Sequence, residues 1–288
     1  MSGLKQLRNR VKSIVSTKKI TKAMHIVSAA KLKKIKDRAS CLNDFSHILS
    51  NIMRHIITDS NLSNISDENL CFFSKDLMDL PHLLVVMTSE RGLCGSFNST
   101  IIKQVKADLI RYKKEQKSVK LIVIGKKGID ALKHKYPNLI DTTYNIQNAN
   151  YECVSNQVKN RIIELVQKKQ VGSCFMYYNR FKNAITQVFE KEQILPAKLY
   201  EENNTDDVFE FEGENLVHNI INLYIQGELS YGLLQNRAGE EGARMTAMDN
   251  STKNATELID KLSIKLNRSR QAIITTELTE IISGAEAL

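Results

Sequence analysis

The sequence predicts an α/β fold: a central Rossmann-like α/β domain flanked by long N- and C-terminal helices that form an antiparallel coiled coil. Three observations support this prediction. Both ends of the 288-residue chain carry apolar residues at alternating steps of three and four, and short apolar strands alternate with amphipathic helices between them. With only 3 prolines and 12 glycines, the chain also has few residues that interrupt long helices.

The first segment, residues 1–58, is the predicted N-terminal coiled-coil helix. Its apolar seam begins with Leu4, Leu7, Val11 and Ile14. At 1.5 Å per residue this helix is about 80 Å long, so it needs a partner helix to cover its apolar side. The seam is then predicted to shift register and to thin to Ile20, Met24 and Val27. It is predicted to resume as a seven-residue repeat at Ile35, Leu42, Leu49 and Ile56, with Phe45 and Ile52 at the intervening positions.

Residues 59–80 are a predicted connection, and the α/β head domain spans residues 81–200. Strands alternate with helices in the head, which is typical of a parallel or mostly parallel sheet. The last strand is predicted to hairpin back as an edge strand. The predicted strands are 81–89, 119–125, 173–181 and 184–195, and the predicted helices are 96–116, 126–136 and 154–169.

The chain ends in an acidic linker, residues 201–212, and a C-terminal coiled-coil helix, residues 213–288. No proline interrupts this last segment, which corresponds to about 100 Å of helix. Because each long helix alone would expose its apolar stripe, we expect the two to pair. The C-terminal seam advances in steps of three and four without a slip: Met245, Met248, Thr252, Ala255, Ile259, Leu262, Leu266, Ser269, Ile273 and Thr276.

The net charge of +9 is concentrated at the N-terminus. Residues 1–38 hold twelve Lys and Arg residues and a single acid, Asp37. A basic helix of this kind suits nucleic acid, an anionic membrane surface or an acidic protein partner, or it is simply a solvated face. The same residues contain no aromatic side chain on which a base could stack, and this weighs against nucleic acid.

Cysteine and histidine spacing predicts neither a metal site nor a disulfide framework. The five cysteines, at 41, 71, 94, 153 and 174, include no C-x-x-C pair, which indicates reduced thiols.

No run of apolar residues approaches the roughly 18 that a membrane-spanning helix needs. The basic N-terminus also lacks the apolar segment of a secretory signal.

The best enzymatic candidate is the turn SERGLCGSFN at residues 89–98. A turn between a strand and a helix binds phosphates in many α/β folds. This one satisfies neither the P-loop pattern nor G-x-G-x-x-G. We therefore assign Gly92 and Gly95 to a tight turn with close helix–sheet packing, and Cys94 to a small buried thiol. With no pairing of nucleophile and base, the sequence predicts no catalysis by this chain alone.

Three separated segments together resemble the gamma subunit of F-type ATP synthases. They are STKKITKAMHIVSAAKLKK at 16–34, SERGLCGSFN at 89–98, and the end of the chain from 243 to 287. Two positions depart from the family pattern: Ser96 stands where glycine is common, and His25 stands where an acid is often found. The tail matches the family's terminal signature at Ile274, Thr275, Glu277, Glu280, Gly284, Ala285 and Ala287.

The resemblance implies a central rotor shaft that couples proton flow through a membrane sector to ATP synthesis or hydrolysis in an alpha–beta ring. The implied partners are the alpha and beta subunits, an epsilon subunit and a membrane c-ring, with no nucleic acid. Mg-ATP or Mg-ADP would be bound by the partner subunits and no cofactor by this chain. The implied location is peripheral, on the cytoplasmic face of the bacterial inner membrane.

The resemblance also implies which residues contact the ring. The basic contact consists of Lys18, Lys19, Lys22 and Met24, and a polar catch nearer the end of the chain consists of Arg270, Gln271, Thr275 and Glu277.

Two other classes of protein remain as alternatives. A basic coiled-coil nucleic-acid-binding protein explains the charge but leaves the α/β head without a role. A nucleotide-binding enzyme explains the head but not the two long helices.

Overall fold

The computed structural model describes residues 2–57, 71–73, 79–146, 150–196 and 216–286. Within these residues, no helix combines the length and the apolar character needed to cross a membrane. A short 3₁₀ turn, Pro137–Leu139, precedes the third strand. The helices and strands, in chain order, are α1 (Ser2–Ile57), β1 (His82–Met87), α2 (Phe97–Lys114), β2 (Val119–Ile124), α3 (Lys126–Leu132), β3 (Ile140–Tyr144), α4 (Tyr151–Gln167), β4 (Ser173–Phe181), β5 (Gln187–Leu195) and α5 (Leu216–Glu286).

The chain divides into two compact units. Unit 1 contains residues 1–29 and 244–288, and unit 2 contains residues 30–243. Helices α1 and α5 each contribute residues to both units. The predicted acidic linker, 201–212, and most of the predicted connection, 59–80, lie outside the described residues.

Unit 2 is built on one five-stranded sheet with the order β3-β2-β1-β4-β5. The first four strands are parallel, and β5 runs antiparallel to β4. This arrangement confirms the predicted mostly parallel sheet with a hairpin edge strand. Strand β1 is the central strand, and its six residues are all buried, as expected for a parallel strand that is covered on both faces.

Side chains that alternate along each strand form two cores, one on each face of the sheet. Leu83, Val85 and Met87 of β1 face helices α4 and α5, where Ile162 and Ile225 are fully buried. On the opposite face, β1 contributes Leu84 and Val86, which pack with Ile101 and Val105 of α2. The sheet is therefore the middle layer of three, which is the usual way to bury both faces of a parallel sheet.

Two parts of this core differ from the sequence prediction. Strand β3 was not predicted, because it is an edge strand whose residues are mostly half-buried and it carries no apolar run. Phe72 falls inside the segment predicted as a connection, yet its side chain is 1% exposed and belongs to the core that contains Leu83 and Ile225. The segment before β1 therefore contributes to the packing of unit 2.

Lys191 links the edge strand β5 to helix α2 through two hydrogen bonds. The Lys191 ammonium donates to Asp108 Oδ2 at 3.0 Å and to Tyr112 Oη at 2.9 Å. It also lies 4.8 Å from the Phe175 ring centroid and 5.4 Å from that of Tyr177, distances at which a cation is attracted to an aromatic face. Burial acts to raise the pKa of Asp108, but the hydrogen bonds from Tyr177 and Lys191 outweigh it and lower that pKa.

Unit 1 is an antiparallel pair of helices. Thr21 of α1 and Thr252 of α5 approach to 2.7 Å between their hydroxyl oxygens, while Leu4 and Leu7 line the same groove as Ser269 and other residues of α5. The predicted α5 seam is confirmed from Met245 to Ile273, since all its positions are buried or half-buried. Thr276 is exposed, so the seam ends one position earlier than predicted.

The seam of α1 differs from the prediction in register. The steps of three and four that begin at Leu4 continue through Ile14 without a shift, and their next positions are all buried or half-buried: Lys18, Thr21, His25 and Ser28. Ile20 and Val27, which were predicted to lie in the seam, are 58% and 52% exposed. The predicted shift was wrong because polar residues fill the seam here. For the other predicted positions, Leu49 is buried, Met24, Ile35 and Ile52 are half-buried, and Leu42, Phe45 and Ile56 fall outside the described side chains.

His82, the first residue of β1, is a buried titratable group in unit 2. It is 6% exposed, its Nδ1 is hydrogen-bonded to the Ser173 hydroxyl, and its ring centroid lies 4.9 Å from that of Tyr112. Burial lowers the pKa of His82 below 6.5, and the positive charges of Lys117 and Lys191 lower it further. At pH values between the folded pKa and the unfolded pKa, the imidazole is therefore neutral in the folded chain and protonated in the unfolded chain.

The free energy of unfolding is expected to fall as the pH drops below about 6.5, because the unfolded state then binds a proton that folded His82 does not. Stability is fully present above the unfolded pKa and is lost as the pH falls toward the folded one. Urea unfolding at several pH values measures this loss. His82→Gln should flatten the pH dependence, and His134→Gln, at an exposed histidine, should not. An equal slope in both variants would contradict the assignment.

Candidate functional site

Between residues 19 and 28, helix α1 exposes apolar side chains and turns polar ones into the seam. We call the exposed side its outer face; its apolar members are Ile20, Ala23, Ile26 and Val27. Ile20 and Ile26 are each 58% exposed. The seam opposite carries Thr21, His25 and Ser28. A helix in water normally turns its apolar side inward, so the outer face is an exposed apolar surface of the kind that marks interaction sites.

Lysines alternate with these apolar residues on the outer face. Lys19 and Lys22 are exposed, while Lys18 and Met24 are half-buried at the edges of the seam. The four residues of the predicted basic contact therefore lie around one stretch of α1, but only two of them point fully outward. Ile20 and Val27 were predicted to lie in the seam, and no role was predicted for Ile26. Continuing the spacing of Leu4, Leu7, Val11 and Ile14 to Lys18 and Thr21 would have identified them as outward-facing.

The residues of the predicted polar catch lie on a separate part of unit 1. Arg270, Gln271, Thr275 and Glu277 are all exposed. The Thr275 hydroxyl donates to the Gln271 carbonyl oxygen at 3.0 Å, so its proton is already engaged within the helix. Eighteen residues separate Arg270 from Thr252, which meets Thr21, and this corresponds to roughly 27 Å along α5. The structure does not bring the basic contact and the catch together.

The last three turns of α5 carry a second exposed apolar surface. Every described side chain from 274 to 285 is exposed. Within this segment Ile274, Leu278, Ile281 and Ile282 are between 48% and 70% exposed. Four large apolar side chains on one short segment form a patch that a surrounding protein surface can cover.

His25 lies close to an acid of α5. A hydrogen bond from Lys253, at 2.7 Å, lowers the pKa of Asp249 most strongly, and the charge of His25 lowers it as well. An acidic residue at position 25, as the gamma-subunit pattern often has, would face Asp249 with a like charge. A histidine at position 25, in place of that acid, therefore avoids a like-charge contact with Asp249 of α5.

The carboxyl edge of the sheet is where α/β proteins bind phosphates, and here three of its backbone N–H donors make internal hydrogen bonds. The Ser89 N–H donates to Asn98 Oδ1 at 3.0 Å, and the Gly128 N–H donates to Thr88 Oγ1 at 2.8 Å. The Lys127 N–H donates to the Ser89 carbonyl at 3.1 Å. These three hydrogen bonds tie the two turns to each other and to the helices that follow them.

The glycines of these turns have different roles. Gly95 has a φ of 58° and open space around its α-carbon, so only the backbone conformation favours glycine there. Gly92 has no such conformation, and a Cβ on it would meet only Lys127 Cε at 3.7 Å. The close approach lies instead at Gly125, where φ is 95° and a Cβ would collide with the Thr88 carbonyl group.

Cys94 is buried, 2% exposed, and accepts a hydrogen bond from Asn98 Nδ2 at 3.2 Å. It therefore has the position expected of a small core thiol rather than of an exposed nucleophile. Across the part of the chain that the structure describes, no group of three or more His, Cys, Asp or Glu side chains is placed to hold a metal ion.

Comparison with known proteins assigns the chain to a family. The family model described as ATP synthase matches residues 3–288. The ATP synthase gamma chain of Rickettsia felis is 50% identical over 290 residues, covering 100% of both chains. Among solved structures, the central stalk and c-ring of the Tetrahymena thermophila mitochondrial ATP synthase matches with a TM-score of 0.59 at 25% identity, covering 80% of this chain and 98% of that one. The rotor of the Euglena gracilis mitochondrial ATP synthase matches in fold, with a TM-score of 0.66 at 17% identity, covering 95% of this chain and 99% of that one. The chain therefore belongs to the family of ATP synthase gamma chains.

Proposed function

We propose that this chain is the central rotor shaft of an F-type ATP synthase. In this role it couples proton flow through the membrane sector to ATP synthesis or hydrolysis in an alpha–beta ring. The observation that carries the proposal is the reversed α1 helix of unit 1. Between residues 19 and 28 its apolar and basic side chains mostly point outward, and Thr21, His25 and Ser28 point into the seam, an arrangement that is favourable when another protein covers the exposed apolar side.

The partners follow from this role. The coiled coil of unit 1 contacts the alpha and beta subunits, and other parts of the chain contact an epsilon subunit and the membrane c-ring. Relatives of this family have been solved as a rotor and as a central stalk with its c-ring. The chain associates with the membrane through this complex, peripherally on the cytoplasmic face of the bacterial inner membrane.

Coupling requires that the shaft contact the ring's subunits unequally. Two helices with different sequences have no threefold symmetry, so at any angle the three beta subunits meet different side chains. Each orientation therefore stabilises a different set of subunit conformations, and rotation changes nucleotide affinity. A contact that was equal for all three subunits would shift nothing.

The two predicted contacts have distinct parts in this cycle. Lys18, Lys19, Lys22 and Met24 face acidic loops of the beta subunits, where charge guides the shaft without tight packing. The catch residues near the end of α5 form hydrogen bonds with the ring that exist only in some orientations. The exposed apolar side chains beyond Ile273 form the bearing surface of the tail.

Catalysis belongs to the partner subunits, and this chain is a non-catalytic subunit. Mg-ATP and Mg-ADP are bound there, and the chain itself holds no cofactor. Two features support this: the turns at 89–98 and 125–128 lack phosphate-binding patterns, and their backbone donors are used in internal hydrogen bonds. Family membership and the absence of aromatic residues from 1–38 both favour the shaft over a coiled-coil nucleic-acid-binding protein.

Reconstitution with separately purified alpha and beta subunits tests the proposal. The isolated chain should show no ATP hydrolysis, and the mixture should turn over ATP faster than any component alone. The double variant Ile20→Asp with Val27→Asp should lower that turnover at least several-fold, because it places charges on an apolar contact. Both positions are exposed, so the melting temperature of the free chain should change little.

The conservative double variant Ile20→Leu with Val27→Leu is the control, and it should retain most of the turnover. Robust ATP hydrolysis by the isolated chain would overturn the shaft assignment. Tight binding to duplex DNA at physiological salt, with a steep salt dependence, would instead favour the nucleic-acid alternative.

A further inference from the structure

A groove of about 590 Å³ runs along one side of the coiled coil in unit 1. Its volume falls in the range of small-molecule sites, and it contains no residue of the outer face or of the polar catch. The groove exists because small residues, Gly3 on α1 and Ala272 on α5, leave the flank of the seam open. The lining residues are Gly3, Leu4, Gln6, Leu7, Arg10, Lys265, Ser269, Ala272 and Ile273.

The antiparallel helices give the groove a polarity along its length. Because the helices run antiparallel, Gly3 and Leu4 of α1 and Ala272 and Ile273 of α5 lie toward the same end of the groove, and this end is apolar. Seven residues further along α1, at the other end, Arg10 lies on the same groove as Lys265. The two ends are separated by roughly 10 Å, since an α-helix rises 1.5 Å per residue.

The charges of the lining have a single sign. Arg10 and Lys265 are both exposed cations, and none of the nine lining residues is acidic. Gln6 and Ser269, between the two ends, add hydrogen-bonding side chains without charge. A carboxylate at the cationic end would meet a guanidinium, which it can engage through two parallel hydrogen bonds, and an ammonium.

We propose that this groove binds an amphipathic monoanion: an unbranched apolar chain of roughly 10 Å that carries one carboxylate. The carboxylate lies between Arg10 and Lys265, and the chain lies on Leu4, Leu7 and Ile273. A cationic amphiphile of the same length would be repelled at the charged end. A compact polyanion would leave the apolar end uncovered. The proposal goes beyond the shaft role, and none of the lining residues belongs to the predicted basic contact or to the polar catch.

Titration of the full-length chain with decanoate, below its micellar concentration, tests the proposal by calorimetry. We expect saturable binding with one site per chain. Decyltrimethylammonium, which has the same chain and the opposite charge, should bind at least tenfold more weakly, and acetate should show no saturable binding. The double variant Arg10→Gln with Lys265→Gln should weaken decanoate binding at least tenfold. Ala272→Phe should abolish it by filling the apolar end.

The matched control is Lys12→Gln with Lys261→Gln, which removes the same charge from the same two helices at exposed positions outside the groove. It should keep the decanoate affinity within twofold of the parent chain. The circular dichroism of every variant should match the parent, since all the positions are exposed. The proposal is overturned if the control loses as much affinity as the groove variant, if decyltrimethylammonium binds as well as decanoate, or if Ala272→Phe leaves binding unchanged.

Discussion

Gly125→Ala is expected to destabilise unit 2 by roughly 3–5 kcal/mol, the largest effect of any single methyl group that we foresee in this chain. Gly125 follows β2 with a φ of 95°, a backbone conformation that side chains rarely adopt. A Cβ there would also lie 2.8 Å from both the carbonyl carbon and Oγ1 of Thr88. Either the helix α3 or the end of β1 would have to move to make room.

Substitutions at two other glycines in the same group of turns distinguish the effect of the backbone conformation from the effect of the clash with Thr88. Gly95→Ala introduces only the unfavourable backbone conformation, because nothing lies within 4 Å of the new Cβ, and it should cost roughly 1–2 kcal/mol. Gly92→Ala introduces neither problem and should change the free energy of unfolding by about 0.5 kcal/mol or less. Urea unfolding of the three variants measures the order. If Gly125→Ala were as mild as Gly92→Ala, the close approach to Thr88 would be wrong.

The sheet could be predicted from sequence because its central strands are buried on both faces. A continuous apolar run such as HLLVVM between turn residues has few other uses in a soluble domain, and all six of its residues are buried. The hairpin after β4 could be predicted for a related reason. Its first strand is strongly apolar, and its second, QVFEKEQIL, is more polar and mostly half-buried, as suits an edge strand.

The parts that were missed are those in which local sequence and tertiary environment disagree. Strand β3 is half-exposed along most of its length, so no apolar pattern marks it, and it pairs with β2 through backbone hydrogen bonds that any sequence can make. Phe72 lies in a segment without a periodic pattern, and only the fold shows that its ring completes a core.

At the candidate site, too, the sequence pattern does not show the environment of each residue. A periodicity argument assumes that apolar residues face inward, and α1 violates this assumption where its outer face displays Ile20 and Val27. The chain itself does not cover those residues, so an argument from periodicity places them in the seam by mistake. The lysines could be located from sequence, but which of them point outward depends on the pairing with α5. That pairing is fixed by contacts such as Thr21 with Thr252.

The tail gives the second large effect. In a complex reconstituted with alpha and beta subunits, Arg270→Ala or Glu277→Ala is expected to lower steady-state ATP hydrolysis tenfold or more. A charge-assisted hydrogen bond contributes roughly 1.5–3 kcal/mol, and 1.4 kcal/mol is already a factor of ten. If the bond forms at only some angles of the shaft, losing it changes the relative stability of the states in the cycle rather than assembly. Thr275→Ala should have a smaller effect, because its hydroxyl already donates to Gln271 within the helix.

Removal of the residues beyond Gly284 is the matched comparison, and it should leave turnover within about twofold of the parent complex. The side chains from 274 to 285 are exposed in this chain, and the seam up to Ile273 holds the two helices together, so we expect the shortened chain to keep its coiled coil. Hydrolysis is measured per assembled complex after gel filtration, which separates a loss of turnover from a loss of assembly. If the truncation abolished turnover while Arg270→Ala and Glu277→Ala had no effect, the tail would act through apolar packing alone. Specific polar contacts at these positions would then have no part in coupling, because a bond whose loss leaves the cycle unchanged cannot distinguish one orientation of the shaft from another.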